Sequence, residues 1–202
     1  MSDKKFLSQV YDLATPDQTR ALYDDWSASY DAEIAENGYA TPARVAEALA
    51  RHLPDRSAPI LDFGCGTGLS GLALRAEGFT NIHGADLSAD MLKGAAEKGA
   101  YDKLWQVKAG DDIPAGYTAI TAIGVIGIGA APVAVFDTIL AALASGGLFA
   151  LSFNDHALAD PQFEGKLRTR IADGTTRLLF QEYGTHLPGI NIKSNVYILE
   201  KT

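Results

Sequence analysis

Short apolar runs alternate with helical patterns along most of the chain, from Ala58 to its end. This alternation is typical of βαβ units, in which a mostly parallel sheet is covered by helices. Five apolar runs predict its first strands: "APILDF", "NIHGAD", "KLWQVKA", "YTAITAIGV" and "LFALSF". The fourth is rich in β-branched residues, which favours a buried central position.

Helical periodicity follows several of these strands. Leucine and alanine recur at helical spacing after the first strand, so that one helix face is predicted to be formed by Leu69, Leu72, Ala73 and Ala76. In "LSADMLKGAAEKG", Ser88 can cap the start of a helix and Gly99 follows its end. The run "PVAVFDTILAALASGG" predicts another helix, with Pro132 in its first turn.

The two ends of the chain differ from this central pattern. A polar helix is predicted around residues 163–172, and the β-rich runs "TTRLLFQEY" and "KSNVYILE" predict an antiparallel pair at one edge of the sheet. Residues 1–57 are helical, aromatic and acidic, which indicates a lid or a buttress. We therefore expect one domain over residues 1–202, with a helical segment over 1–57 and an α/β core over 58–202.

Composition narrows the class of protein. The 202 residues are 47% hydrophobic and 21% charged, as in ordinary globular proteins. The net charge of −8 opposes binding to nucleic acid, which depends on lysine and arginine. One basic cluster is either a solvated helix face or a contact for an acidic substrate: Lys166, Arg168, Arg170 and Arg177.

The sequence also bears on compartment. Its only cysteine, Cys65, excludes an intrachain disulfide and fits a reducing environment. The start lacks an apolar signal core, and glycines, threonines and a proline interrupt "YTAITAIGVIGIGAAPVAVF". We expect a cytoplasmic protein that binds no membrane, whereas the sequence leaves its oligomeric state open.

The stretch "ILDFGCGTGLSG", residues 60–71, carries the strongest chemical signal. A strand that enters a glycine-rich turn and then a helix directs backbone N–H groups toward one point, where an anionic group can bind. Dinucleotide folds place a ribose-binding carboxylate about 20 residues further on, the position of Asp86. Gly66, Gly68 and Gly71 match the dinucleotide spacing, but Gly64 is the glycine that follows the strand.

Counted from Gly64, "LDFGCGTGLSG" and "ADLSADML" resemble motifs I and II of the class I S-adenosylmethionine-dependent methyltransferases. Further segments, including "YDDWSASYD" and "SGGLFALSFND", resemble the group that includes the Williams-Beuren syndrome region methyltransferase-like protein. The resemblance implies S-adenosylmethionine as cofactor. It also implies a Rossmann-like, seven-stranded, mostly parallel sheet with helices on both faces, an antiparallel last strand and an N-terminal helical lid.

The resemblance also implies roles for individual residues. The methionine part of the cofactor would be lined by Gly64, Cys65 (through its backbone), Gly66 and Gly68, while Asp62 orients the loop and faces the amino group. Asp86 would bind the ribose, and Leu87 and Met91 would flank the adenine. Leu69 and Gly124 complete this part of the set.

Aromatic residues of the N-terminal helices close over the cofactor in this family, which implicates Tyr23, Trp26 and Tyr30. A sulfonium beside an aromatic face is also favoured by cation–π attraction. Ordinary core packing is the alternative for each ring. We expect the Tyr30 hydroxyl to reach the methionine carboxylate.

The chain departs from the family at two loops. After the third strand, Lys108 stands where related sequences tend to carry an aspartate, so the candidates for the adenine amino group are Asp111 and Asp112, of which we favour Asp111. After the fourth strand, "IGVIGIGAAP" lacks both the Asn/Asp-Pro-Pro-Tyr motif of amino-methylating relatives and the histidine of the narrower group. The acceptor must then be oriented by backbone, by the lid or by other loops.

Candidate catalytic groups follow the fifth strand, where open α/β sheets place their sites. Asn154 and His156, with Asp155 between them, could act on the acceptor, or the trio could be a helix cap. His186 in "YGTHLPG" is a second candidate, expected in an exposed loop, and no metal site is predicted.

The sequence thus predicts methyl transfer to an unidentified acceptor by direct displacement. We expect a small molecule, although a protein acceptor also fits the sequence. The alternatives are a non-catalytic S-adenosylmethionine-binding protein and an NAD-dependent oxidoreductase.

Overall fold

The computed structural model describes residues 15–202. This range contains seven strands and seven α-helices, and a short 3-10 turn separates the last two strands. In chain order the elements are α1 (Pro16–Glu36), α2 (Thr41–His52), β1 (Ile60–Phe63), α3 (Leu69–Ala76), β2 (Ile82–Asp86), α4 (Ala89–Lys98), β3 (Lys103–Gln106), β4 (Ala119–Ala122), α5 (Val135–Ala142), β5 (Leu148–Asn154), α6 (Asp155–Ala159), α7 (Pro161–Ala172), β6 (Thr176–Leu187) and β7 (Ile192–Lys201).

The strands form one sheet in the order β3-β2-β1-β4-β5-β7-β6. All pairs from β3 to β5 are parallel, and β7 runs antiparallel to both of its neighbours, β5 and β6. The predicted seven-stranded sheet with an antiparallel last strand is confirmed. The strand order reverses beside β1, between β2 and β4, which is where open α/β sheets form ligand crevices.

Both faces of the sheet are covered, because successive strand residues point to opposite sides. On one face, Ile60 belongs to a buried cluster with Leu49 of α2 and Leu74 of α3. On the other, Leu61 belongs to a cluster with Phe136 of α5 and further residues of α7. This explains why β1 is apolar at consecutive positions.

Helix α2 corrects the predicted extent of the lid. Val45 and Leu49 are fully buried in the core beside β1 and β2, so α2 is a structural helix of the sheet layer. Among the described residues of the predicted lid segment, α1 is the helix with the position of a lid. Residues 1–14 of that segment lie outside the described residues. Helix α1 is held to the loop after β1 and to α4 by Asp31, which accepts a hydrogen bond from Thr67 Oγ1 at 2.5 Å and pairs with Lys98 Nζ at 2.5 Å.

Helix α3 buries a different face from the one predicted. Leu72 is 42% exposed, whereas Ser70, Gly71 and Leu74 are buried. The reason is Tyr101, whose Cζ lies 2.4 Å from where a Cβ on Gly71 would be and whose hydroxyl accepts the Gly71 N–H at 3.0 Å. Small residues let α3 approach this ring closely, and hydrophobic periodicity alone could not show that.

The ends of α4 lie where its capping residues predict them, whereas α5 begins later than predicted. Ser88 Oγ accepts the Met91 N–H at 3.0 Å, and Gly99 ends α4 in the left-handed conformation, as predicted. The helix α5 begins at Val135, later than the predicted first turn at Pro132. Tight turns, with the Val135 N–H bonded to the Pro132 carbonyl at 3.0 Å, precede it.

The basic residues of α7 are ion-paired. Lys166 and Arg170 both contact Asp137 of α5 at 2.8 Å, and Arg168 contacts Glu164 at 3.0 Å. These contacts support the interpretation as a helix face for the three residues of α7, whereas Arg177 lies in β6 and pairs with Glu200. Within residues 15–202, no helix is both long and apolar enough to cross a membrane.

Candidate functional site

A cavity of about 360 Å³ lies where several strands end, beneath α1. Its wall includes Gly64 after β1, Asp86 at the end of β2, Val107 after β3 and Gly124 after β4. A volume in this range is typical of small-molecule sites. The cavity therefore occupies the crevice that the strand order predicts.

The glycine loop forms one wall of this cavity through Gly64 and Gly66. Gly64 has a φ of +73°, and a Cβ there would lie 2.5 Å from Cγ2 of Val125, so only glycine fits. Gly66 has a φ of +53° and open space around its missing side chain. The loop therefore brings bare backbone to the cavity.

Asp86 connects this loop to β2. Its Oδ2 accepts the Gly66 N–H at 2.8 Å and its Oδ1 accepts the Ser88 N–H at 2.9 Å. Burial raises the pKa of Asp86, while these backbone hydrogen bonds oppose the rise. A carboxylate can accept about four hydrogen bonds. Asp86 thus has acceptor capacity left for a ligand in the cavity that it lines.

Asp62 faces away from the cavity, which corrects its predicted contact with the cofactor amino group. The residue is fully buried and accepts hydrogen bonds from Tyr101 at 2.7 Å, from Thr121 at 2.7 Å and from Ser70. Burial raises the pKa of Asp62, and the three hydroxyl groups oppose this rise. Asp62 joins β1, β4 and α3, so its role is to fix the loop.

Three other predicted cofactor residues do not reach the cavity wall. The Cys65 side chain is buried, and its N–H donates to the Ala85 carbonyl at 3.1 Å, so its backbone donor is already used. Gly68 lies against α4, where a Cβ would be 3.1 Å from the Ala95 Cα. Leu69 packs with the aromatic residues of α1.

The aromatic residues of α1 divide into lining and supporting positions. Tyr23 and Tyr30 line the cavity, whereas Trp26 is 1% exposed and lies behind them. Its ring meets that of Tyr30 edge-on at 4.6 Å, and its Nε1 donates to Glu33 at 3.0 Å. Trp26 therefore supports the lid, as in the core-packing alternative, and it also lines the smaller cavity described below.

The opposite end of the cavity is apolar and flanked by a polar loop. Leu87, Met91 and Val107 line it, as does Asp111. Asp111 Oδ2 accepts the Lys108 N–H at 2.7 Å. Thr19 and Arg20 also line the cavity and were not predicted, because no motif marks them. Lys108 lines it too, at the position where related sequences tend to carry an aspartate.

A second, smaller cavity of about 70 Å³ adjoins the first. The two share Tyr23, Tyr30, Gly124 and Ala130. The polar groups of the second cavity include the side chains of Ser152, Asn154 and His186. Its position on the β5 side gives it contact with both the lid and the sheet.

The predicted catalytic pair is separated by the structure. Asn154 lines the second cavity and also caps α6, since its Oδ1 accepts the Ala157 N–H at 3.0 Å. His156 is exposed and lines neither cavity, which corrects its predicted role. His156 follows Asn154 by two residues, which is little more than half a helical turn, so the two side chains point in different directions.

His186 lies near the end of β6, not in the predicted exposed loop. It is 6% exposed, and its Nδ1 is 2.8 Å from Thr41 Oγ1. Burial lowers the pKa of His186 to about 4, although the charge of Asp155 acts in the other direction. Strand β6 continues to Leu187, beyond the predicted run, and this carries His186 into the interior.

His186 should make the protein less stable in acid. Its pKa is about 4 in the folded protein and near 6.5 when unfolded, so the unfolded chain binds more protons between these values. Stability is therefore lost as pH falls below about 6.5. Urea unfolding at pH 7 and pH 5 should show wild type losing about 2 kcal/mol relative to His186→Gln. The variant His156→Gln is the control and should lose as much stability between pH 7 and pH 5 as the wild type does. If His186→Gln lost as much as His156→Gln, the assignment of the acid sensitivity to His186 would be contradicted.

No group of three histidine, cysteine, aspartate or glutamate side chains in residues 15–202 is arranged to hold a metal ion.

Comparison with known proteins agrees with this geometry. A family model described as "Methyltransferase domain" matches residues 30–173. Methyltransferase-like protein 27 of Homo sapiens is 37% identical over 125 residues, which cover 58% of this chain and 51% of that protein. The chain thus spans about half the length of this curated relative.

Solved structures share the fold at low sequence identity. Magnesium protoporphyrin IX methyltransferase from Synechocystis PCC 6803, solved with bound SAM, superposes with a TM-score of 0.62 at 14% identity. That match covers 100% of this chain and 92% of the other. The [4+2]-cyclase SpnF superposes with a TM-score of 0.59 at 16% identity, covering 79% and 81% of the two chains.

Proposed function

Because the chain belongs to the class I S-adenosylmethionine-dependent methyltransferase family, we propose that it transfers a methyl group from S-adenosylmethionine to a small-molecule acceptor by direct in-line displacement. The proposal rests mainly on the position of Asp86 at the end of β2, beside the glycine loop. Its carboxylate lines the cavity and can accept further hydrogen bonds there besides those from Gly66 and Ser88. Two ribose hydroxyls are the donors that such a carboxylate fits.

The remaining wall fits the other parts of this cofactor. Leu87 and Met91 supply apolar surface for the adenine, and Asp111 supplies an acceptor near its amino group. The bare backbone at Gly64 and Gly66 admits the methionine part. Tyr23 and Tyr30 present aromatic rings, which attract a positive sulfonium. The residues present therefore fit S-adenosylmethionine.

When bound, this cofactor supplies a methyl carbon that an acceptor lone pair attacks while the carbon–sulfur bond breaks and its electrons return to sulfur. The chain's own task is to hold the two reactants in line. Such positioning can lower a barrier by roughly 7–11 kcal/mol. The lid helix α1, fixed through Asp31 to Thr67 and Lys98, covers one side of the cavity.

The dinucleotide interpretation receives less support from the geometry. Of its three glycines, only Gly66 lines the cavity, whereas Gly68 and Gly71 pack against Ala95 and Tyr101. Those two glycines thus have a packing role. The glycine that does reach the cavity beside Gly66 is Gly64, which belongs to the methyltransferase spacing.

A thermal unfolding assay with two ligands tests the proposal. S-adenosylhomocysteine at 100 times its Kd should stabilise the protein by about 2.7 kcal/mol, which for a chain of this size raises Tm by roughly 5–10 °C. NAD at the same concentration should leave Tm unchanged. Stabilisation by NAD alone would favour the oxidoreductase alternative and contradict the proposal.

A further inference from the structure

The second cavity contains hydrogen-bond donors whose direction is set by the fold. Asn154 is the first of them. Because its Oδ1 accepts the Ala157 N–H at 3.0 Å, its Nδ2 group must point elsewhere, and Nδ2 has no partner in the described part of the chain. Asn154 lines the cavity. Its free amide hydrogens are therefore available there.

His186 becomes a donor through a chain of hydrogen bonds. Arg44 Nη1 can only donate, and it does so to Ser194 Oγ at 3.1 Å. Ser194 Oγ lies 2.9 Å from Thr41 Oγ1, which lies 2.8 Å from Nδ1 of His186. All three of these last residues are buried.

One arrangement gives both hydroxyl hydrogens in this series of hydrogen bonds an acceptor: Ser194 donates to Thr41, and Thr41 donates to Nδ1 of His186. A neutral imidazole that accepts at Nδ1 carries its proton on Nε2. The ring is neutral at pH 7 because its pKa is about 4. Within residues 15–202, Nε2 has no partner and is not among the enclosed unpartnered atoms, so it is open to the cavity.

Ser152 completes the set of donors. Its Oγ accepts the Gly124 N–H at 3.0 Å, and its hydroxyl hydrogen has no acceptor among the described residues. The rest of the wall combines apolar side chains such as Ile126 and Leu187 with the rings of Tyr30 and Tyr39. An oxygen atom with exposed lone pairs satisfies such donors, whereas an ammonium group would leave all of them unpaired.

We propose that the second cavity is the acceptor subsite, and that Asn154, His186 and Ser152 donate hydrogen bonds to a carboxylate or enolate oxygen of the substrate. This proposal rests on the proposed function, since it needs the methyl donor in the adjoining cavity. Tyr30 and Gly124 belong to both walls, so the oxygen-bearing end of the acceptor lies next to the donor's site. The volume of about 70 Å³ fits only that reacting end.

In this arrangement His186 holds a proton and does not remove one. No side chain of the protein removes a proton from the acceptor, because its oxygen arrives already deprotonated, as a carboxylate or an enolate. A lone pair of that oxygen forms the bond to the methyl carbon, while the carbon–sulfur bond breaks and its electron pair goes to sulfur. The methyl–acceptor bond then forms without a proton transfer to His186. The proposed subsite therefore selects acceptors by oxygen lone pairs.

Two planar ions of equal size test this selection. Protein saturated with S-adenosylhomocysteine is titrated with acetate and with acetamidinium, and backbone NMR signals of Gly124 and Gly127 report occupancy. Acetate should shift these signals with saturation, and acetamidinium should not. Equal responses to both ions would overturn the proposal.

Matched variants assign the effect to named groups. Asn154→Asp keeps the cap of α6 but replaces the donor with a negative oxygen, so acetate affinity should fall about tenfold or more. His186→Leu should cause a similar loss, and His186→Gln, which restores an amide donor, should lose less. His156→Gln should have no effect. If the Asn154→Asp protein is fully folded and its acetate affinity is unchanged, the proposal is contradicted.

The two proposals fail differently in this experiment. If S-adenosylhomocysteine binds normally and acetate does not, the acceptor subsite is wrong and the proposed function stands. If S-adenosylhomocysteine does not bind, the proposed function is wrong and the acceptor role is lost with it.

Discussion

Asp86→Asn should weaken S-adenosylhomocysteine binding by roughly 10- to 100-fold, because it removes charge-assisted hydrogen bonds of about 1.5–3 kcal/mol. The substitution keeps the size of the side chain. It also places an amide where Asp86 now accepts from both the Gly66 and the Ser88 N–H groups, so one donor would face another donor. Both effects act on the cavity wall. Isothermal titration calorimetry measures the change.

The matched control for this prediction is Asp90→Asn. Asp90 lies in the first turn of α4, four residues further on, and pairs with the exposed Lys93 outside the cavity. Its substitution should leave the affinity unchanged. A folded Asp86→Asn protein with wild-type affinity would show that the ribose does not lie at the end of β2.

Asp62→Ala should lower the free energy of unfolding by about 3 kcal/mol or more. The substitution leaves the hydroxyls of Ser70, Tyr101 and Thr121 without their shared acceptor, in a place where Asp62 is fully buried. Each unsatisfied buried group costs about 1–3 kcal/mol. Urea unfolding followed by circular dichroism measures the loss.

A graded series separates hydrogen bonding from the general cost of mutation. Tyr101→Phe removes one of the three donors to Asp62 and the acceptor of the Gly71 N–H, so it should cost about 1–3 kcal/mol. Asp112→Ala changes an exposed carboxylate and should change stability by less than about 0.5 kcal/mol. If Asp62→Ala were as mild as Asp112→Ala, the buried network would have no stabilising role.

Local signals predicted much of this fold. The strand runs near "APILDF" and "LFALSF", the cap at Ser88 and the stop at Gly99 were predicted because each depends on residues close in sequence. The buried face of α3 was not, because Tyr101 comes from 30 residues away and occupies the space that Leu72 was expected to fill. Long-range contacts of this kind leave no periodicity in the sequence.

The same distinction applies to the site. Gly64 and Asp86 could be placed at the cavity wall because the carboxyl ends of parallel strands meet there. Asp62 and Cys65 could not be excluded from it, since their direction depends on hydrogen bonds to Thr121 and Ala85 on neighbouring strands. His186 was misplaced because a strand longer than its apolar run carries it inward.

A crystal structure with S-adenosylhomocysteine would show directly whether the cofactor lies in the larger cavity with its ribose at Asp86. The account predicts the ribose hydroxyls within hydrogen-bond distance of Asp86, the adenine between Leu87, Met91 and Val107, and the sulfur facing the wall that the two cavities share at Tyr30. A ligand bound elsewhere, or in this cavity with its ribose away from Asp86, would contradict the account.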